Sequence, residues 1–351
     1  MIDLATQRYA LVALAAAALF GASTPLAKLL QADITPGLLA GLLYFGSGAG
    51  LGLVKLALRL GRHAPEPALQ ASDAPWLAGA VACGGIAAPL LLMWGLAGAS
   101  ASGVSLLLNV EGIATALIAA LVFKEAVAGR IWLAACLMLA AGLLLGNDPQ
   151  AGFGLSLRAL AVIAACALWA LDNNLTRRIS AADPVSIALI KGLAAGSTNI
   201  AGALAFGASF PAAMPLAAAL LLGWLSYGVS LALYIVALRH LGSARAASHF
   251  STAPFIGAAV AIALLDEPVT VAFVAAFLLM IAATWLVLTE RHAHAHVHEQ
   301  LVHEHLHTHD AHHQHAHRGG EGPEPHSHPH RHEPIAHSHP HLPDLHHRHP
   351  H

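Results

Sequence analysis

LNVEGIATALIAALVFKEAV (108–127) and FSTAPFIGAAVAIALLDEPV (250–269) share an unusual plan. Each opens on a few polar or small residues, runs apolar, and closes on a short acidic turn. Offsetting one by 142 residues lays Glu125 on Glu267 and Val127 on Val269. An apolar run of about 20 residues is what a helix needs to cross the hydrocarbon of a bilayer. The two stretches therefore read as membrane spans occupying equivalent places in two halves of one chain.

Working outward, similar apolar runs fall at 9–30, 35–58, 74–95, 98–123, 129–146, 157–179, 185–207, 216–238, 243–265 and 269–289. The composition agrees: 57% of residues are hydrophobic and 10% charged, with a mean hydropathy of +0.64. Soluble domains carry about 25% charged residues. The start, Arg8 followed by YALVALAAAALFGAS, imitates a signal peptide. Its apolar run continues through PLAKLL, so a retained first span is the expectation. Cys83, Cys136 and Cys166 stand singly in apolar runs, as small hydrophobes do.

Basic residues orient the spans. Arg8, Arg59, Arg62, Lys124, Arg130, Arg177, Arg178, Arg239, Arg245 and Arg291 fall on one side, against Lys28 and Arg158 on the other. Loops rich in Lys and Arg stay in the cytoplasm, so both termini are expected there, in a multi-pass protein of the plasma (inner) membrane. A second offset, of 149 residues, lays ALFGASTPLAK (18–28) on ALWALDNNLTR (167–177), with Phe20 on Trp169. Five spans per half place the halves in opposite orientations, the inverted-repeat plan of many secondary transporters. The expected fold class is thus an all-α integral membrane protein of ten transmembrane helices in two inverted five-helix repeats, 8–146 and 155–289. A disordered His-rich tail, 291–351, follows.

The paired motifs FGASTPLAK and LWALDNNLTRRIS, the span ends FKEAV and LDEPV, and SARAASHFSTAPFIGA (243–258) resemble the EamA family of the drug/metabolite transporter superfamily. The resemblance covers about residues 8–289. It implies a ten-helix carrier that moves small metabolites, such as amino acids or amphipathic compounds, by alternating access. One departure concerns Pro254 in the second half, where the first half has Asn109-Val110-Glu111-Gly112. The His-rich tail is foreign to the family pattern.

A charge at mid-bilayer costs about 2.5 kcal/mol or more and calls for a partner or a function. Glu111 and Asp172 are the deep acids. Trp169, Asp172, Asn173 and Thr176 share one helical face, and the face formed by Phe20, Ser23, Thr24 and Ala27 is its smaller counterpart. Such paired faces suit a central cavity, or a seam between helices. On an unbroken helix Glu111 would lie about 200° around from Asn109, so only one of them could face a common cavity. Lys191 invites two readings, snorkelling to the interface or pairing with Asp172 or a substrate carboxylate. Tyr227 and Thr252 complete the expected cavity set of Ser23, Thr24, Asn109, Glu111, Trp169, Asp172, Asn173, Lys191, Tyr227 and Thr252. Glu125 and Glu267 each precede a span, where negative charge complements a helix N-terminus.

The tail carries 23 of the 26 histidines, many at every second position. Imidazole binds zinc, nickel, copper and cobalt. The expected ligands are His292, His294, His296, His298, His303, His305, His307, His309, His312, His313, His315 and His317. The sequence thus points to a carrier of a small organic metabolite with a metal-binding cytosolic tail. Its rivals are a nickel, cobalt or zinc carrier whose tail collects or senses cargo, and a membrane-tethered metal buffer. No cofactor is required, and no nucleophile–base set or phosphate loop suggests an enzyme. The partners expected are a small-molecule substrate, lipid, metal ions and a second copy in a homodimer, but not nucleic acid.

Overall fold

The computed structural model describes residues 4–60, 68–122, 129–146, 156–179, 182–241 and 243–289, together with 293–298, 301–307, 326–332 and 335–340 of the tail. Glu125 lies outside them, as do His292, His309, His312, His313, His315 and His317.

From the N-terminus, α1 (Leu4–Gly21) and α2 (Ser23–Leu30) form one bent span, and α3 (Pro36–Leu60) returns. The helices α4 (Ala74–Ala80) and α5 (Ala88–Ala97) are joined by a π-helical turn, Val81–Ala87. Then come α6 (Ala101–Leu107), α7 (Val110–Leu121), α8 (Gly129–Gly146), α9 (Leu157–Arg177) and α10 (Pro184–Ala205). Next, α11 (Ala213–Gly223) and α12 (Ser230–Leu241) flank a second π-helical turn, Trp224–Val229. Finally there are α13 (Ser243–Phe250), α14 (Ala253–Leu265) and α15 (Val271–Leu288).

Eight of these helical segments, single or joined, are long and apolar enough to cross a membrane. Two shorter apolar helices, Gly129–Leu145 and Val271–Val287, lie against each other.

Local chemistry sets several helix starts. The side chains of Ser100, Ser156, Asp183 and Thr270 accept from the backbone N–H of Gly103, Ala159, Val185 and Phe273, satisfying donors that a helix cannot pair itself. Packing relies on small residues, as expected where lipid offers no hydrophobic drive between helices. Along α3 and α10 a methyl group on Gly192 would sit 2.8 Å from Gly48 Cα and 2.9 Å from the Tyr44 carbonyl.

One feature departs from expectation. Glu267 does not serve the helix that follows it. Asp266 adopts a left-handed conformation, φ 51°, ending α14. The Glu267 carboxylate then accepts from the backbone N–H groups of Ala101 (2.6 Å) and Ser102 (2.8 Å), so it caps α6. Nearby, the Lys28 ammonium donates to the carbonyls of Leu96 (2.6 Å), Ala97 (3.2 Å) and Ala99 (3.0 Å) at the end of α5. An anion at a helix start and a cation at a helix end each match the local dipole.

Within the tail, short backbone strands β1 (Ala293–His298), β2 (Leu301–His307), β3 (His326–His332) and β4 (Ile335–Pro340) pair antiparallel as β1–β4 and β2–β3. Histidine at every second position already has the two-residue period of a strand.

At one end of the bundle Lys55 Nζ lies 2.7 Å from Asp183 Oδ2. Ser186 donates to the same oxygen and the Val185 N–H to the other. Burial pushes the Asp183 carboxyl up, but these donors outweigh it and hold the group below the usual carboxylate range. A carboxyl whose pKa is lowered by folding stabilises the protein above its ordinary pKa, and that stability is lost as pH falls through the lowered value. Asp183→Asn is therefore expected to cost about 1 kcal/mol near neutral pH. The gap between the thermal midpoints of parent and variant should close as pH falls below about 4.

Candidate substrate cavity and its charged cluster

The spans holding the two opening stretches are both broken. One is interrupted at Leu108-Asn109 between α6 and α7, the other at Ser251-Thr252 between α13 and α14. The 142-residue offset superposes these breaks to within one residue, although only the second half has a proline there. Broken helices at membrane depth are tolerated where they are buried in protein or line a cavity. Here they border a cavity of about 290 Å³.

Leu108, Asn109, Glu111 and Gly112 form one wall, and Ala247, Phe250, Ser251 and Pro254 another. Phe20, Met138, Tyr234, Thr284 and Val287 complete it. The lining is mostly apolar, with Glu111 its one acid among the described residues.

Aromatic rings link this cavity to a buried polar cluster. Tyr234 stacks obliquely on Phe250 (4.6 Å between centroids), Phe250 meets Phe20 (5.5 Å), and Phe20 meets Tyr227 edge-on (5.7 Å). Tyr227 lies 5.7 Å from Tyr44. The Tyr44 hydroxyl donates to the Gly84 carbonyl (2.8 Å), and Trp169 Nε1 donates to the same carbonyl (2.9 Å) and to the Tyr44 hydroxyl (3.1 Å). Asn199 Nδ2 donates to the carbonyls of Gly85 and Ile86, at 3.3 Å each. The π-helical turn thus has its carbonyls met by α3, α9 and α10. That matters because a π turn departs from the ordinary helical ladder.

Around this turn the charges gather. Lys191 of α10 is paired with Asp172 of α9, whose carboxylate is almost wholly buried at 3% side-chain exposure. Thr176 donates to the other Asp172 oxygen at 3.0 Å. One residue on, Asn173 Nδ2 donates to Glu111 Oε1 at 2.9 Å. Thr115 donates to the Glu111 carbonyl at 2.9 Å, and Asn174 bonds to the Thr115 carbonyl at 3.3 Å. The consecutive residues 172–174 therefore tie α9 to α10 and to α7. Asp172 and Lys191 both lie within electrostatic reach of Glu111.

The expected site residues sort as follows. Asn109 and Glu111 both line the cavity, which corrects the expectation that only one could. The reason is the break at 108–109, across which 100° per residue does not hold. Asp172, Asn173, Lys191 and Trp169 form the cluster beside it. Lys191 does not merely snorkel; it pairs. Tyr227 stands between the two regions, and Ser23 is its hydrogen-bonding neighbour. Thr24 is buried, and Thr252 donates to the His249 carbonyl; neither is in the lining. Tyr44, Thr115 and Phe250 were missed. Tyr44 had a signal, as the one tyrosine within the apolar run 35–58.

A bundle of membrane-length helices, two of them broken around an internal cavity, defines the class as a polytopic membrane transporter. The chain belongs to the EamA-like transporter family, whose profile matches twice, over residues 7–147 and 156–289. An "Uncharacterized transporter" from Methanothermobacter thermautotrophicus (strain Delta H) is 29% identical over 195 residues. That match covers 53% of this chain and spans 56% of the relative's length. A solved crystal structure at 18% identity superposes with a TM-score of 0.58, covering 80% of this chain and 95% of the other, and shows the shared fold. Membership in a family of transporters accords with the expectation that the chain is not an enzyme.

Proposed function

We propose that the protein is a secondary transporter carrying a small organic metabolite, an amino acid or an amphipathic compound, by alternating access. The observation that carries this reading is the cavity bordered by both broken helices, apolar and aromatic but for Glu111. An apolar pocket with few, well-placed polar groups is the usual form of a small-molecule site. Rings at Phe20, Tyr234 and Phe250 beside one carboxylate suit a substrate with an apolar body and an ammonium.

In this reading the chain spans the inner membrane ten times, with α8 and α15 completing the eight longer spans. Its halves are inverted repeats, and both termini are cytoplasmic. The cavity then lies toward the cytoplasmic side, while Lys28 and Glu267 pin the opposite end. The tail is an accessory that binds divalent metal. A metal carrier would need ligands along the path, and the described lining contains no histidine or cysteine.

The test is uptake into liposomes, comparing the full chain with one stopped after Glu290. A panel of amino acids and amphipathic amines is set against Ni²⁺, Co²⁺ and Zn²⁺. A metabolite moved equally by both chains is the expected result. Flux of metal ions alone, surviving loss of the tail, would sink the metabolite reading. Glu111→Gln keeps the Asn173 hydrogen bond but removes the charge. It is expected to cut flux at least tenfold and to flatten its pH dependence, with the thermal midpoint unchanged. Unaltered flux at every pH would remove Glu111 from the mechanism.

A further inference from the structure

A second cavity, of about 540 Å³, lies beside the α2–α3 and α10–α11 connections. Gly37 borders it from the start of α3, Ile86 and Leu90 from the first π-helical turn and α5, and Asn199, Gly202 and Phe206 from the end of α10. Among the described residues no charged side chain lines it. Its size falls within the range of about 300–1,000 Å³ usual for small-molecule sites.

Asn199 gives this cavity its chemistry. Pro89 has no N–H to offer the Gly85 carbonyl four residues before it. The Asn199 amide takes the place of that donor and reaches the Ile86 carbonyl as well, at 3.3 Å each. Both neighbours are acceptors, so the NH₂ group must face them and Oδ1 must turn the other way. The residue is 3% exposed, yet no described group donates to Oδ1. Buried polar groups are nearly always paired; here one acceptor is left open on a cavity wall. The other polar side chains of the lining, Thr35 and Thr198, are exposed, and the Thr198 hydroxyl already donates to the Ala194 carbonyl.

We propose that this cavity binds a neutral amphipathic molecule. Its apolar body lies against Ile86, Leu90 and Phe206, and one hydroxyl or amide N–H donates to Asn199 Oδ1. A charged ligand would be stranded there without a counter-charge, which separates this site from the first cavity and its Glu111 carboxylate. A molecule without a donor leaves Oδ1 unpaired, so the site discriminates on that single bond. The cargo proposed for the first cavity carries an ammonium, so the occupant here is a neutral amphiphile drawn from the bilayer. The assignment does not depend on what the first cavity carries.

The experiment uses the full chain in liposomes and two photoactive probes. One is benzophenone bearing a para hydroxymethyl group; the other bears a para methoxymethyl group and has no donor. Adducts are mapped by mass spectrometry. Those at Leu139 and Leu278, exposed on α8 and α15, report general contact from lipid. Relative to these, the alcohol should mark 198–208 saturably and at least tenfold more than the ether. Gly202→Phe should abolish that excess, because Gly202 lines the cavity and a methyl there meets nothing within 4 Å. Equal marking by the two probes, read in the parent alone, would overturn the site. So would an excess that survives Gly202→Phe. Competition by metabolites that the protein transports would make the ligand the cargo and overturn its assignment to the bilayer. Absence of any metabolite uptake would sink the carrier reading and leave the marking result standing.

Discussion

Asp172→Ala is expected to destabilise the protein by about 3–5 kcal/mol, the usual cost of removing one partner of a buried pair. It is also expected to stop transport. The carboxylate is almost wholly buried, and Lys191 is 20% exposed, so the stranded ammonium has little water to turn to. Glu111 is the nearby acid within its electrostatic reach, but it already holds Asn173. Replacing both partners is a different experiment, because a neutral pair of similar volume avoids the cost of desolvating charge. Asp172→Asn combined with Lys191→Met should recover most of the lost stability. Thermal unfolding in detergent reads that recovery, and liposome uptake reads function. A double variant that is stable yet inactive is the expected outcome, and it would assign the pair to the transport cycle. Parental uptake by the double variant would reduce the pair to a structural link between α9 and α10.

Gly84→Ala is expected to be strongly damaging. Its new Cβ would fall inside the space of the Asp172 carboxylate, and Gly85 beside it already faces Ala195 Cβ, with room for no retreat: a methyl there would meet it at 2.6 Å. Overpacking a well-filled core costs about 1–3 kcal/mol. Here the displaced atoms are also the partner of Lys191, and the displaced backbone is the acceptor for Tyr44 and Trp169. The variant should lose more than 3 kcal/mol in midpoint terms, roughly the sum of overpacking and a disturbed ion pair, and lose uptake with it. Gly202→Ala is the control, since a methyl there meets nothing within 4 Å. Equal midpoints for the two variants would show that the Gly84 contact is soft.

Much of the architecture was legible because lipid makes simple demands. Apolar length gave eight segments long and apolar enough to cross a membrane, and the paired stretches at 108–127 and 250–269 pointed to two spans that are each interrupted at a matching place. What sequence could not supply was contact between distant segments. Glu267 was read as serving its own helix because helix-start chemistry is local, whereas its partners are Ala101 and Ser102. Asn109 and Glu111 were set on opposite faces because a helical wheel assumes an unbroken helix. Lys191 was open between solvent and Asp172, since nothing in the spacing of 19 residues tells whether α9 and α10 face each other. Tyr44 drew no notice because its role depends on a carbonyl freed by a π turn that the sequence does not announce.

The short connection between α5 and α6 is gripped from two directions, by the Lys28 ammonium on one helix end and by the Glu267 carboxylate on the next helix start. The grips come from opposite halves of the chain. On the carrier reading, any rocking of one half against the other must release Glu267 from α6. A hydrogen bond to a charged group contributes about 1.5–3 kcal/mol, which corresponds to roughly a ten- to hundredfold bias between two states. On that reading the balance between the two states would be set in part at this end of the molecule, outside the cavity lining. Substitutions here would change how often the protein opens outward without altering what it recognises.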